Sequence, residues 1–406
     1  MTTPSKALRQ AQGTFAALWA ELAPLGRHPT TGGYRRYAWS PVDAALREWF
    51  AAQCAARGLD LVEDRAGNEW AWWGDPDATP GVVTGSHLDS VPDGGGYDGP
   101  LGVVSAFAAI DALRDDGFRP AQPIGVVHFG DEEGARFGIA CAGSRVITGA
   151  LAADRVRGLT DADGVSWAEA YARTGRDPER IGPDAETLGR VGTFVELHVE
   201  QGRGLVDREA PVGVGTRIWP HGRWRLDFPG EANHAGTTAL GDRQDAMLGF
   251  ARTVLAAREA AERHGCLTTM GKAVVRPNGV NAIPSAVTGW LDARGAEAEA
   301  VRAAVAEVAA AADGARLTAE SWTDATPFDP NLASRVAALL DAPQLETGAG
   351  HDAGILAAAG VPTAMLFVRN PTGVSHSPAE SADEADCRAG VAALTAVLAD
   401  LAGDGR

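Results

Sequence analysis

Several short runs place side chains that bind metals or move protons directly after apolar stretches. In "GSHLDSVPDGGGYDGPLG" (85–102), one histidine and three aspartates stand among six glycines. His87 and Asp89 are two apart, so in extended backbone they face the same way and the carboxylate can orient the imidazole. Nearby glycines let the backbone at Asp98 come close, which suits a short carboxylate shared between two cations. Asp93 competes for that role, and Asp-Gly is also a common turn pair. In "FGDEEGARFG" (129–138), Glu132 and Glu133 point to opposite sides. One can bind a cation while the other takes a proton from the water it acidifies; a solvated helix start reads the same way.

"TFVELHVEQG" (193–202) alternates with period two. Val195, Leu197 and Val199 share one face; Phe194, Glu196, His198 and Glu200 share the other. Charged groups beside a buried sheet face are costly unless paired or metal-bound. His198 is the candidate ligand, with Glu196 and Glu200 as supports or ligands. His376 in "GVSHSPAE" follows another apolar strand. Singly, each residue is as easily turn or surface. Jointly, His87, Asp98, Glu133, His198 and His376 make two His/carboxylate sites with Asp98 bridging. Nitrogen and oxygen donors without thiolate suit Zn²⁺, Mn²⁺, Co²⁺ or Ni²⁺.

The elements that must position these groups alternate. Strand patterns at 81–86, 123–130 and 192–202 interleave with helical patterns such as "GPLGVVSAFAAIDALRDDG" (99–117), where Pro100 opens the helix. This predicts a mostly parallel sheet with helices on both faces, and sites collected beyond the strand carboxyl ends. Residues 209–325 follow a β-α-β-β-α-β order, that of a ferredoxin-like sandwich. The expected architecture is an α/β catalytic domain, 1–208 and 326–406, interrupted by a smaller α+β domain, 209–325.

Bulk properties narrow the function. A net charge of −17 over 406 residues argues against nucleic acid. No apolar run is long enough to span a membrane. The segment 1–26 reads as an amphipathic helix, not a signal peptide, so a cytoplasmic location is expected. Cys54, Cys141, Cys266 and Cys387 lack paired spacing and are expected to be reduced, partly buried thiols.

Together with "GEANHAGTT", "RPNGVNAIPS", "LDAR" and "GAGHDA", these motifs run in order from "TGGYRRYAWS" to the C-terminal helix. The chain resembles the amidase/hydantoinase/carbamoylase branch of the M20 metallopeptidase-like family, which includes N-carbamoyl-L-amino-acid hydrolases, β-ureidopropionases and allantoate amidohydrolases. The resemblance implies two divalent ions held by His87, Asp98, Glu133, His198 and His376, with Glu132 as general base. It implies a cis Asp98–Gly99 peptide and Gln201 beside the substrate. His234 would donate to the developing oxyanion, Asn281 would contact substrate, and Arg294 would grip its carboxylate as a bidentate fork. Gly350 and His351 would lie near the substrate. The inserted domain would form a homodimer, swing as a lid, and offer His234 and Asn281 to the partner's site.

Two stretches depart from the branch pattern. "GTRIWPHGRW" (215–224) carries Arg217, His221 and Arg223, and "FVRNPTGVSH" (367–376) carries Arg369 and Asn370. Both flank site motifs, so the extra cations suit a more anionic or ureide-rich substrate. The expected reaction is hydrolysis of the carbamoyl group of an N-carbamoyl-L-amino acid or allantoate. The alternatives are an N-acyl-amino-acid amidase or dipeptidase with the same site, and a noncatalytic amino-acid-binding homologue.

Overall fold

The computed structural model describes residues 6–403. The start of the expected N-terminal helix, residues 1–5, lies outside the described residues; from there Lys6–Leu22 is helical. The chain forms two compact units, Met1–Thr216 with Pro327–Arg406, and Arg217–Thr326.

The larger unit is built on a mixed sheet of nine strands. Its centre is parallel: Ile124–Phe129, Gly81–His87, Val191–Val199 and Thr363–Val368 are consecutive neighbours. Antiparallel strands extend both sides. Glu69–Trp73 and Asp60–Glu63 flank one, and Val212–Ile218 the other, where it pairs with Thr363–Val368. Residues of the central strands are buried on both faces, as near-continuous Val/Ile/Leu runs require. The helix Pro100–Asp115 is buried through most of its length and packs in the main core with Phe50, Val195 and Leu394. Each such fully buried large side chain contributes about 1.5–3 kcal/mol.

The start of the insertion differs from the sequence expectation. Residues 212–216 alternate like a strand of the smaller domain, yet they hydrogen-bond into the large sheet, so the unit boundary falls at Thr216/Arg217. Local alternation identifies a strand but does not name its partner.

In the smaller unit the strands order as Arg316–Thr323, His221–Pro229, Ala286–Arg294, Leu267–Arg276, all antiparallel. The helix Ala246–His264 ends on Gly265 in the left-handed conformation, and Ala298–Ala311 follows Ala286–Arg294. Leu226, Val287, Leu291, Ala260 and Val301 form its separate core. Leu267–Arg276 is an open edge strand. Among the described residues, no helix is long and apolar enough to cross a membrane.

Candidate metal centre

Because four parallel strands lie side by side, their carboxyl ends bring residues distant in sequence to one edge. His87 ends its strand opposite Phe129, three residues before Glu132. His198 pairs in register with Phe367, on the strand that leads to His376. Asp98 comes from the loop that enters the helix Pro100–Asp115.

Asp98 lies between the three imidazoles. Its Oδ1 is 3.1 Å from His198 Nε2 and 3.6 Å from His87 Nε2, while its Oδ2 is 3.3 Å from His376 Nε2. Glu133 Oε2 lies 3.7 Å from the same His376 nitrogen. Each buried imidazole has its other nitrogen against a carbonyl: His87 Nδ1 on Asp89 O at 3.1 Å, His198 Nδ1 on Val199 O at 2.9 Å. That tautomer leaves Nε2 as a lone pair facing a carboxylate oxygen. The Gly99 amide also donates to His198 Nε2 at 3.1 Å, and the imidazole nitrogens and carboxylate oxygens converging on Asp98 favour positive charge among them. His87, Asp98 and His198 form one group able to hold a cation, and Asp98, Glu133 and His376 another. A divalent ion fits this donor set.

Electrostatics point the same way. Burial alone would push the Asp98 carboxyl up, but His198, His376 and His87 outweigh it and hold it well below the usual carboxylate range. Burial opposes protonation of His87 and His198, and the surrounding carboxylates overcome it and raise both. Hydrogen bonding to Asp98 lifts His376 to about 9. Burial lifts Glu133 to about 7 and pushes Glu132 well above its ordinary value.

Asp89 does more than the spacing implied. Its carbonyl, more than its carboxylate, orients His87. The carboxylate accepts the backbone amides of Glu132 at 3.2 Å and Glu133 at 3.0 Å, fixing both glutamates. Glu132 Oε1 accepts the Cys141 thiol at 3.2 Å, and Oε2 lies 3.7 Å from His87 Nε2 on the side of the cluster. Gln201 donates to Asp98 Oδ2 at 2.8 Å. His351 is buried, its ring centroid 4.6 Å from that of His198, and burial holds it well below its ordinary value. Glu196, His198 and His351 also lie close enough to share an ion. His198 Nε2 already faces Asp98, however, so these residues form a layer behind the cluster. Gly350, one residue earlier, is exposed.

The open alternatives resolve. Glu200 accepts the amides of Gly204 and Leu205, so it caps a short helix. Glu196 accepts Ser86 Oγ at 2.7 Å and the Ala353 amide at 3.0 Å. Asp93 is held by Arg35 at 2.9 Å and by Thr31 at 2.6 Å, a loop contact away from the cluster. Arg369 is paired with Asp386 at 2.7 Å, and Asn370 holds the following loop through Thr372, Gly373 and Val374.

The expected cis Asp98–Gly99 peptide is absent. Among the described residues the cis bond is Arg276–Pro277. The chain turns instead at Gly99 (φ 84°), where a Cβ would lie 2.5 Å from the His87 ring.

His234, Asn281 and Arg294 lie in the smaller unit. His234 bridges Ala282, and the Ala235 amide donates to Asn281 O at 3.0 Å, so the first two share one loop pair. Arg294 grips Asp292 through Nε and Nη2, each at 2.8 Å. Arg223 lies 3.5 Å from the same carboxylate, and Arg217 donates to Glu297 at 3.3 Å.

Sequence reading missed Glu380 and Ser375. Glu380 Oε1 accepts the amides of Tyr97 and Asp98, and Ser375 Oγ lies between Glu380 and Asp98. The motif "GVSHSPAE" contained both residues, and an acid four positions after His376 was the available signal. A groove of about 930 Å³, lined by Tyr37, Trp39, Arg136, Arg173 and Arg176, contains none of the cluster residues. Cavity size does not locate this chemistry.

Histidines and carboxylates gathered at the strand ends of an α/β sheet, close enough to hold a metal ion, are the donor set of a metal-dependent hydrolase. The chain belongs to peptidase family M20/M25/M40, whose model matches residues 83–400, and within it to the hydantoinase/carbamoylase amidase branch. It is 37% identical over 404 residues to the N-carbamoyl-L-amino acid amidohydrolase of Geobacillus stearothermophilus, covering 94% of this chain and 96% of that one. It is 34% identical over 399 residues to the allantoate amidohydrolase of Escherichia coli K12, covering 94% and 96%. The crystal structure of a hydantoinase/carbamoylase family amidase from Burkholderia vietnamiensis superposes with a TM-score of 0.88 at 30% identity, covering 97% of this chain and 98% of that one. The protein is accordingly a metal-dependent amidohydrolase of the carbamoylase/allantoate amidohydrolase type.

Proposed function

We propose that the protein hydrolyses the terminal ureido group of an N-carbamoyl-L-amino acid or of allantoate. The balance is R–NH–CO–NH₂ + H₂O → R–NH₂ + CO₂ + NH₃. The observation that carries this reading is the pairing of a three-histidine, two-carboxylate cluster with a second, buried glutamate, Glu132, anchored at one oxygen and open toward the cluster at the other.

Two divalent ions, one on His87, Asp98 and His198 and one on Asp98, Glu133 and His376, would supply Lewis acidity and lower the pKa of bound water toward about 7. Glu132 Oε2 accepts the proton of the attacking water and returns it to the leaving nitrogen. Burial raises its pKa above the ordinary carboxylate value, which favours uptake of that proton. Asp89 holds Glu132 and Glu133 by their amides, so the base and the ligand keep a fixed separation. Gln201 lies against Asp98, within reach of a substrate beside the ions.

The smaller unit supplies recognition in this reading. Arg294 exchanges Asp292 for the substrate carboxylate, His234 donates to the developing oxyanion, and Asn281 contacts the ureide. A homodimer through this unit is supported by its exposed apolar side chains. Leu248 and Leu255 lie seven apart on one helix, and Leu267 and Val274 on the open edge strand, 41–67% exposed. Four buried cysteines, none in a disulfide, suit the reducing cytoplasm.

The deciding experiment is ammonia release from allantoate and N-carbamoyl-L- and D-amino acids, beside acetate release from N-acetyl-amino acids, after loading with Mn²⁺, Zn²⁺, Co²⁺ or Ni²⁺. Ureide turnover with ammonia supports the proposal. Turnover confined to N-acetyl substrates would replace it with an acylase.

A further inference from the structure

We propose that Glu380 is a positioning residue that ties the Asp98 loop to the His376 loop and so sets the affinity of the metal centre. This rests on the reading of Asp98 and His376 as ligands. Glu380 is buried at 6% exposure, and it touches no ligand atom of the cluster except through others. Its Oε1 accepts the Tyr97 amide at 2.8 Å and the Asp98 amide at 3.0 Å, fixing the backbone from which the bridging carboxylate projects. Its Oε2 is 3.1 Å from Ser375 Oγ, which lies 3.0 Å from Asp98 Oδ2. Ser375 immediately precedes His376, so one carboxylate spans both loops.

The cluster needs such a tie. His376 is half exposed, at 50% of its side chain, and its backbone adopts φ 56°, an uncommon conformation for a non-glycine residue. Packing does not hold it, so its loop must. Asn370 fixes the start of that loop, and Glu380 its end. Gly95 fits the same scheme, because a Cβ there would lie 2.3–2.4 Å from Glu380 side-chain atoms. The glycine run leaves the space that Glu380 fills.

The test measures metal affinity of the full-length protein by chelator competition, with far-UV circular dichroism and metal-free melting as folding controls. Glu380→Ala is expected to lower affinity 10–100-fold, the usual cost of losing a residue that orients a ligand. Saturating metal is expected to restore most of its kcat. Glu380→Gln keeps an oxygen for the two amides and a donor for Ser375, and is expected to bind metal within a few-fold of the parent. Gly95→Ala, by displacing Glu380, is expected to weaken binding as Glu380→Ala does. Should Glu380→Ala fold poorly, Ser375→Ala, which removes only the link between carboxylates, decides by a smaller loss in the same direction. Unchanged affinity in Ser375→Ala and in folded Glu380→Ala, beside an Asp98→Asn that loses metal, would overturn the positioning role and leave the ligand reading intact. Full metal affinity in Asp98→Asn would overturn the ligand reading, and this proposal with it.

Discussion

Asp98 Oδ1 meets His198 Nε2 at 3.1 Å, although the two residues belong to a glycine-rich loop and a strand 100 positions apart. The other oxygen of the same carboxylate faces His376, so a single side chain joins both halves of the centre. Asp98→Asn replaces one oxygen by an NH₂ group that repels a cation. Metal content by plasma mass spectrometry is expected to fall at both positions together. Loss of one ion with full retention of the other would show that Asp98 does not bridge.

Glu132→Gln separates the proposed base from the proposed metal ligands. The amide still accepts at Oε1 but takes up no proton. Turnover is expected to drop by about 10²–10⁴, the usual range for removing a general acid–base group. Metal content is expected to stay at the parent level. Near-normal turnover with metal in place would remove Glu132 from the mechanism.

Arg294→Lys addresses recognition. A lysine carries the charge but loses the two-pronged geometry that suits a carboxylate. KM is expected to rise roughly tenfold, about 1.4 kcal/mol, with kcat little changed. An unchanged KM would assign Arg294 to its Asp292 pairing alone.

Asp352 makes a pH prediction. Burial, and then the charge of Glu196, push its carboxyl up to about 8, with Ser144 donating to one oxygen. Its folded pKa lies above the unfolded value of about 3.9, so the fold favours the neutral acid. That contribution is complete below about pH 4 and declines as pH rises toward 8. Asp352→Asn mimics the neutral acid at all pH. In melting curves of metal-free protein, the variant is expected to match the parent near pH 4 and exceed it progressively up to pH 8. A constant difference across that range would contradict the shift.

Leu255→Glu places a charge on the exposed face of the helix Ala246–His264. If a second copy covers that face, sedimentation is expected to show the parent as a dimer and the variant shifted toward monomer. A monomeric parent would refute the interface.

The sequence by itself determined the cast of the site. Polar residues placed just after Val/Ile/Leu runs have to emerge at strand ends, and period-two alternation put Glu196, His198 and Glu200 on one face before any partner was known. Only the tertiary structure decided which of them stand within reach of one another, because that depends on strand order: Gly81–His87 lies between Ile124–Phe129 and Val191–Val199. Strand order is a choice among hydrogen-bonding partners, and local pattern does not encode it. The same reason moved 212–216 into the large sheet. It also hid Glu380, whose partner Tyr97 is 283 positions away. A buried acid and a loop amide carry no common local signal, and only the packed chain brings them together.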